Sequence, residues 1–147
     1  MESLLNDEVA KIVKDRIEKL TKDDSPQWGK MTVAQMLHHC KFPLQIALQK
    51  EHPPVKPNFL AKLLFKKAMY NDRPWSKNLP TVPSFRVSEE KNFEEEKDNL
   101  IHLIDEFLIK KDVTEWQPHP VFGKFTAQQW GQMQYKHLDH HLKQFNV

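Results

Sequence analysis

Glycine is scarce in this chain, with three residues in 147, and cysteine is scarcer still, with one. The lone thiol, Cys40, excludes an internal disulfide and fits a reducing compartment. No apolar run is long enough to span a bilayer. The N-terminal Met-Glu-Ser-Leu-Leu-Asn-Asp-Glu also lacks the basic and apolar regions of a signal peptide, so the chain is expected to be cytoplasmic. Charge of one sign is missing too: 22 Lys and Arg oppose 20 Asp and Glu, for a formal net charge of +2. The lysines are interleaved with acids, so nothing calls for nucleic acid or an anionic membrane as partner. The pairs Lys66-Lys67 and Lys110-Lys111 read as solvated surface. Valine and isoleucine are too thin for many strands, which favours helices.

What remains is an ordinary globular balance, 39% hydrophobic and 29% charged, over a length that suits one domain spanning residues 1–147. Four long helices are predicted. The first covers Ser3 to Leu20, with Leu5, Val9, Ile12, Val13, Ile17 and Leu20 in amphipathic spacing, and Asp23-Asp24-Ser25-Pro26 stops it. The second starts at Thr32, where Thr32 and Gln35 form a capping box and Met31 and Met36 a hydrophobic staple. It runs to about Lys50 and is expected to bend at Pro43, which removes the hydrogen bond to the His39 carbonyl. The third covers Glu89 to Lys110, capped by Ser88, with acids in its first turn and Lys110-Lys111 at its end. The fourth covers Thr126 to Phe145, where Thr126 with Gln129 and Phe125 with Trp130 repeat the box and the staple. Between helices two and three, Pro53, Pro54, Pro57, Pro74, Pro80 and Pro83 preclude a long regular element, leaving a short helix over Asn58 to Met69. A connection of that length has a job, as a crossover or as a lid over a site. Trp116 to Phe125 reads as a loop.

Five of the eight histidines fall in two clusters: His38 and His39 in helix two, and His137, His140 and His141 in helix four. His137 and His141 lie one turn apart on one face, a pair able to grip one metal ion, and a third imidazole from another helix would complete a facial set. His39 lies roughly 10 Å into helix two; His137 and His141 lie roughly 16 and 22 Å into helix four, which is about 30 Å long. If the two helices are antiparallel, His39 falls between the two histidines. If they are parallel, the levels miss by roughly one to two turns. A shared site on His39, His137 and His141 therefore requires antiparallel helices. With helices one and two, and three and four, each paired antiparallel, helices two and three become parallel, and the proline-rich stretch is the crossover they need. The result is an all-α, up-down-down-up four-helix bundle.

Other sites fit less well. A carboxylate-bridged di-iron bundle wants Glu-x-x-His on two helices, and none occurs. A zinc-protease helix wants His-Glu-x-x-His, but Leu138 and Asp139 follow His137. Cys40 projects about 100° from His39 around the helix and belongs to the core. His137 with His140 is a competing pair that would leave His141 over. His38 and His140 read as surface or supporting residues, Asp139 as solvent-facing, and His119 as a residue at one bundle end within reach of a ligand. Trp28, Trp75, Trp116 and Trp130 are packing residues that could also wall a pocket. Three neutral ligands with an open position describe a catalytic type of site.

Met-Thr-Val-Ala-Gln-Met-Leu-His-His-Cys in helix two and His-Leu-Asp-His-His-Leu-Lys-Gln-Phe at the end make the chain resemble the DinB-like (YfiT-type) metalloenzyme superfamily. Trp-Gly-Lys-Met-Thr and His-Pro-x-Phe-Gly-x-Phe-Thr resemble a branch of it common in bacteria. In that superfamily a leucine-histidine pattern in helix two gives one ligand, and a His-x-x-x-His ahead of a Gln-apolar pair gives two more; transferred here, these are His39, His137 and His141. Many relatives carry Arg-Gly after the last histidine, whereas this chain has Leu142-Lys143, so no role of that arginine transfers. The resemblance implies an up-down-down-up bundle, frequent homodimers, and a divalent nickel, zinc or iron ion. It also implies, for some members, transferase or isomerase chemistry on a low-molecular-weight thiol.

Two functions are thus expected. One is a metal-dependent enzyme, a transferase such as a thiol S-transferase or a hydrolase, acting on a small molecule. The alternative is a non-catalytic bundle that binds a metal or small ligand, or a dimeric interaction module. A purely structural polar network of histidines is the third reading.

Overall fold

The computed structural model describes residues 1–147, whose regular elements are all helical: five α-helices and three short 3-10 turns, beside one isolated bridge between His119 and Gly123. Helix α1 is Asp7–Glu18, α2 Val33–Ala47, α3 Phe59–Phe65, α4 Phe93–Ile109 and α5 Ala127–Gln144. No helix is long and apolar enough to cross a membrane.

The helix starts follow local chemistry. Thr32 and Thr126 each accept from the amide three residues on, and Gln35 and Gln129 reach back to the cap amides, so both predicted capping boxes form. The rings of Phe125 and Trp130 meet edge-on at 5.3 Å. Two other starts lie inside the expected ones. Helix α1 begins not at Ser3 but after Asn6, whose Oδ1 accepts from Glu8 and Val9. The residues before it take another task, because Leu4 is fully buried and its amide donates to the Gly131 carbonyl of α5 at 3.0 Å. Gly131 leaves room for this approach: a Cβ there would press on the Ser3 and Leu5 side chains. Helix α4 is capped by Asn92, not Ser88. Glu89 instead presents its carbonyl to the Gln35 side chain at 3.0 Å, tying the approach segment to α2. Helix α2 continues through Pro43 to Ala47.

Charged and polar contacts fix how the helices run. Along α1 and α4, Asp7 meets Lys111 beyond the end of α4, and Glu18 meets Lys97 near its start, so the two are antiparallel. Along α2 and α4, Lys41 meets Glu96 and Lys50 meets Glu106, a parallel pair. Along α2 and α5, His39 meets His137 while Gln134 donates to the Pro43 carbonyl at 2.8 Å, an antiparallel pair. Helix α1 runs parallel to α5, with Leu4 beside Gly131 and Arg16 bound to Asp139. The packed pairs are therefore α1 with α4 and α5, and α2 with α4 and α5. The expected pairings of helix one with two and of three with four are not among these close contacts, whereas helices two and three, now α2 and α4, do pack together. The Lys19–Thr32 and Lys110–Thr126 connections are long enough to cross between helices that do not touch closely.

The core between these helices holds Leu37, Leu44, Leu100, Ile104, Phe107, Leu138 and Leu142. Val9, Val13 and Ile17 join it from α1, but Ile12 does not and stays 56% exposed. The crossover between α2 and α4 carries the expected short helix, capped by Asn58 and followed by the 3-10 turn Lys67–Met69. Buried Lys136 of α5 pins that segment, donating to the Ala68 and Asn71 carbonyls and to Asn71 Oδ1 at 2.7–2.9 Å. Helix α3 itself buries none of its residues.

Candidate metal centre

The antiparallel run of α2 beside α5 sets one histidine of α2 against two of α5. His39, His137 and His141 are all buried, and each offers a ring nitrogen within 4.8 Å of the others. The His39 ring centroid lies 5.1 Å from that of His137 and 4.8 Å from that of His141. The closest approach is between the Nε2 atoms of His39 and His137, at 3.1 Å.

Two of the three rings are oriented by acceptors on their far side. His39 Nδ1 lies 2.9 Å from the Phe85 carbonyl, which the crossover brings in through its Pro83–Phe85 3-10 turn. His141 Nδ1 lies 2.8 Å from Gln144 Oε1. The Gln144 amide is itself fixed, because its Nε2 donates to the Trp28 carbonyl at 2.7 Å, which leaves only oxygen to face His141. The Gln144 backbone carbonyl accepts from Gln27 at 2.7 Å, so the chain before α2 wraps the end of α5. Gly29 permits this wrap: its φ is +80°, and a Cβ there would stand 2.7 Å from Gln144 Nε2.

Those partners assign the tautomers. A carbonyl can only accept, so His39 carries its proton on Nδ1 and has a lone pair on Nε2. The same holds for His141 facing Gln144. His137 has one proton for its two nitrogens, and its Nδ1 is buried without a partner. Within the trio one N–H is thus available for three lone pairs, and hydrogen bonding inside the cluster cannot satisfy them all. A divalent cation can accept all three. Two nitrogens held on one ion at the usual 2.0–2.1 Å lie about 3.0–3.4 Å apart, which brackets the His39–His137 separation.

The site also keeps its imidazoles unprotonated. Burial drives the His137 pKa well below the ordinary histidine value, and His141, His39 and His140 add to the effect. Burial takes His141 down to about 3 against the opposing Gln144 bond, and lowers His39 against the opposing Phe85 bond. At neutral pH all three are neutral donors, the form a metal takes.

A cleft of about 270 Å³ opens onto this cluster, lined by His39, His140, His141 and Gln144 from the helices and by Trp28, Lys30, Asn78, Thr81, Phe85 and Arg86 among the loop residues. The crossover therefore supplies one wall of the cleft as well as joining two helices. Trp75, also from the crossover, sets its ring 5.9 Å from His137 and 5.8 Å from His140. Two of the tryptophans, Trp28 and Trp75, thus flank the histidines.

The other polar candidates fall outside the trio. His140 is half-buried between Trp28 and Trp75 and lines the cleft. His38 turns toward α4, where its Nδ1 lies 2.8 Å from Glu96, a carboxylate shared with Lys41. Burial alone raises the Glu96 pKa, but the Lys41 and His38 bonds outweigh it and hold the carboxyl below its usual range. Asp139 is no free surface acid: it binds Arg16 and Lys143. His119 does not reach the cluster. It packs among Phe122, Phe125 and Trp130, and its Nδ1 accepts from the amides of Val121 and Phe122. Cys40 is buried, and burial pushes its thiol pKa up, away from the range of a reactive thiolate. Sequence reasoning missed Gln144 and the carbonyls of Phe85 and Trp28. Gln144 had a signal, three residues beyond His141 and hence beside it on the helix; the carbonyls had none.

The chain matches no curated protein and no solved structure. Residues 2–147 match the family model DUF1569, described as a protein of unknown function, and the chain belongs to that family.

Proposed function

We propose that this chain is an up-down-down-up, DinB-like four-helix bundle that holds one divalent metal ion on His39, His137 and His141 and uses it as an enzyme on a small molecule. The helix directions support the topology: α1 opposes α4 and runs with α5, while α2 runs with α4 and opposes α5. The observation that carries the site is the shortage of protons in the trio, three lone pairs against one N–H, with the Nε2 atoms of His39 and His137 at 3.1 Å.

A divalent ion of the nickel, zinc or iron type would supply Lewis acidity, lowering the pKa of a thiol or a water to give a nucleophile at neutral pH. The protein's own residues do the rest. Phe85 and Gln144 fix two rings and their tautomers, burial keeps the imidazoles neutral, and the cleft admits a molecule of modest size. Trp28 and Trp75 shield the histidines from bulk water. No carboxylate lines the cleft, and half-buried His140 is the lining imidazole outside the trio that could carry a proton. Thiol S-transfer is the reaction class we favour, from the resemblance of the two histidine motifs, with a low-molecular-weight thiol as one substrate.

Metal analysis of the purified protein beside His39→Ala/His141→Ala tests the site. One ion per chain in the parent and none in the variant is expected; equal, sub-stoichiometric metal in both would sink it. Thiol-conjugation assays with glutathione and bacillithiol on electrophilic substrates, with and without chelator, separate an enzyme from a binder. Metal-dependent turnover is expected, and stoichiometric metal without turnover across the panel would leave a non-catalytic metal-binding bundle.

A further inference from the structure

Helix α3 is turned the wrong way round for a helix seeking the core. Phe59, Leu60, Leu63 and Leu64 fall at i, i+1, i+4 and i+5, hence on one side of the helix. They are 78%, 62%, 68% and 59% exposed. Lys62 and Lys66, three and seven residues after Phe59, run along one edge of this side and hold α3 to the body. Lys66 donates to the Lys124 carbonyl at 2.6 Å and lies 5.3 Å from the centre of the Phe125 ring, and Lys62 sits against Gly123. An apolar crest of this kind marks an interaction surface.

The charge around it selects the partner. From His52 to Asn71 the chain has no acidic residue, while Lys56, Lys62, Lys66 and Lys67 all fall there. The near-neutral whole chain hides this local run. A symmetric contact between two copies would set these cations against their own images. The helix is also only about 10 Å long, so its outward face alone is too small to bury the roughly 800 Å² that a specific dimer buries on each partner. A lipid surface has neither objection. A short crest of Phe and Leu can enter the boundary between headgroups and acyl chains while the flanking lysines meet anionic headgroups. With no helix able to cross the bilayer, the attachment is peripheral.

We propose that the outward face of α3 docks the protein on the surface of an anionic lipid bilayer. Flotation of the full-length protein with phosphatidylcholine vesicles, with and without phosphatidylglycerol, tests it in low and high salt. Partition onto the anionic vesicles should exceed that onto the neutral ones by about tenfold and fall in high salt. Phe59→Ser/Leu63→Ser should lose about tenfold of that partition with an unchanged melting temperature, because both side chains are exposed. Equal partition onto both vesicles would overturn the proposal, and so would salt-sensitive binding that the double variant retains. Light scattering after gel filtration covers the rival occupant: a dimer in the parent that becomes a monomer in the variant would assign the face to a second copy.

Discussion

Gln144 is the residue whose replacement should test the proposed metal site most sharply. It joins two requirements: Oε1 faces His141 Nδ1 at 2.8 Å, and Nε2 donates to the Trp28 carbonyl at 2.7 Å. Gln144→Leu removes both and leaves a buried N–H and a carbonyl unpaired, at about 1–3 kcal/mol for each group. It also frees the His141 ring to rotate or change tautomer. Loss of such an orienting partner weakens metal binding about 10–100-fold, or roughly 1.4–2.7 kcal/mol. Gln144→Glu separates the two effects. A carboxylate still accepts from His141, now as a charge-assisted bond, but cannot donate to Trp28. Both variants should therefore lose thermal stability, while only Gln144→Leu loses metal affinity; Gln144→Glu should stay within about threefold of the parent or bind more tightly. Competition against a chromophoric chelator at neutral pH measures the affinity, and calorimetric melting of the metal-free proteins measures the stability. If the two variants lose affinity equally, or if neither does, Gln144 does not act by orienting His141.

Three more outcomes follow from the same contacts. Metal-free protein should lose stability as the pH falls below about 6.5, because burial holds His39, His137 and His141 (about 3), together with His119 (about 4), below the unfolded value. The unfolded chain then binds the extra protons, so each histidine adds up to about 1.4 kcal/mol per pH unit until its folded pKa is reached, and the effect is absent above neutrality; urea midpoints that stay flat between pH 5 and 7 would refute this. Gly29→Ala forces an alanine to φ +80° and a Cβ to 2.7 Å from Gln144 Nε2, so it should cost about 1–3 kcal/mol and weaken metal binding in the same direction as Gln144→Leu. Lys136→Met keeps the aliphatic stem but strips the donor from Ala68 and Asn71, and should cost about 1–3 kcal/mol and speed limited proteolysis between residues 66 and 77; an unchanged cleavage rate would show that the clamp is dispensable.

The helices and the trio were legible because both follow from periodicity and local chemistry. Thr32-x-x-Gln35 and Thr126-x-x-Gln129 announce helix starts by residues that satisfy each other across one turn, and the structure forms both. His39 could be levelled with His137 and His141 because rise per residue is fixed, so only one relative direction brings them together. The errors lie where a local rule met a distant contact. Ser88 is a competent cap, but the Glu89 carbonyl is held by Gln35, and the helix waits for Asn92. The first helix was expected from Ser3, yet Leu4 is buried with its amide on the Gly131 carbonyl, and the helix begins only after Asn6. Loop length bounded which helices could be neighbours without deciding it: one was expected beside two and three beside four, yet α1 and α2 each pack on α4 and α5.

The supporting shell of the site was hidden for a different reason. A ligand must be a particular residue type, so it leaves a trace in composition and spacing. A carbonyl that orients a ligand exists at every position, and only the fold decides that those of Phe85 and Trp28 do the work. Both come from irregular segments, one in the crossover and one before α2. Gly29 is the exception that shows the rule: its lack of a side chain is visible in sequence, but the reason for it, the amide of Gln144 at 2.7 Å from any Cβ, appears only once α5 is in place. The proline-rich crossover thus orients His39 through Phe85, walls the cleft and carries α3 outward. Because that one segment connects the histidine cluster to the exposed crest, a shift of the 3-10 turn at Pro83–Phe85 would be felt first at His39 Nδ1.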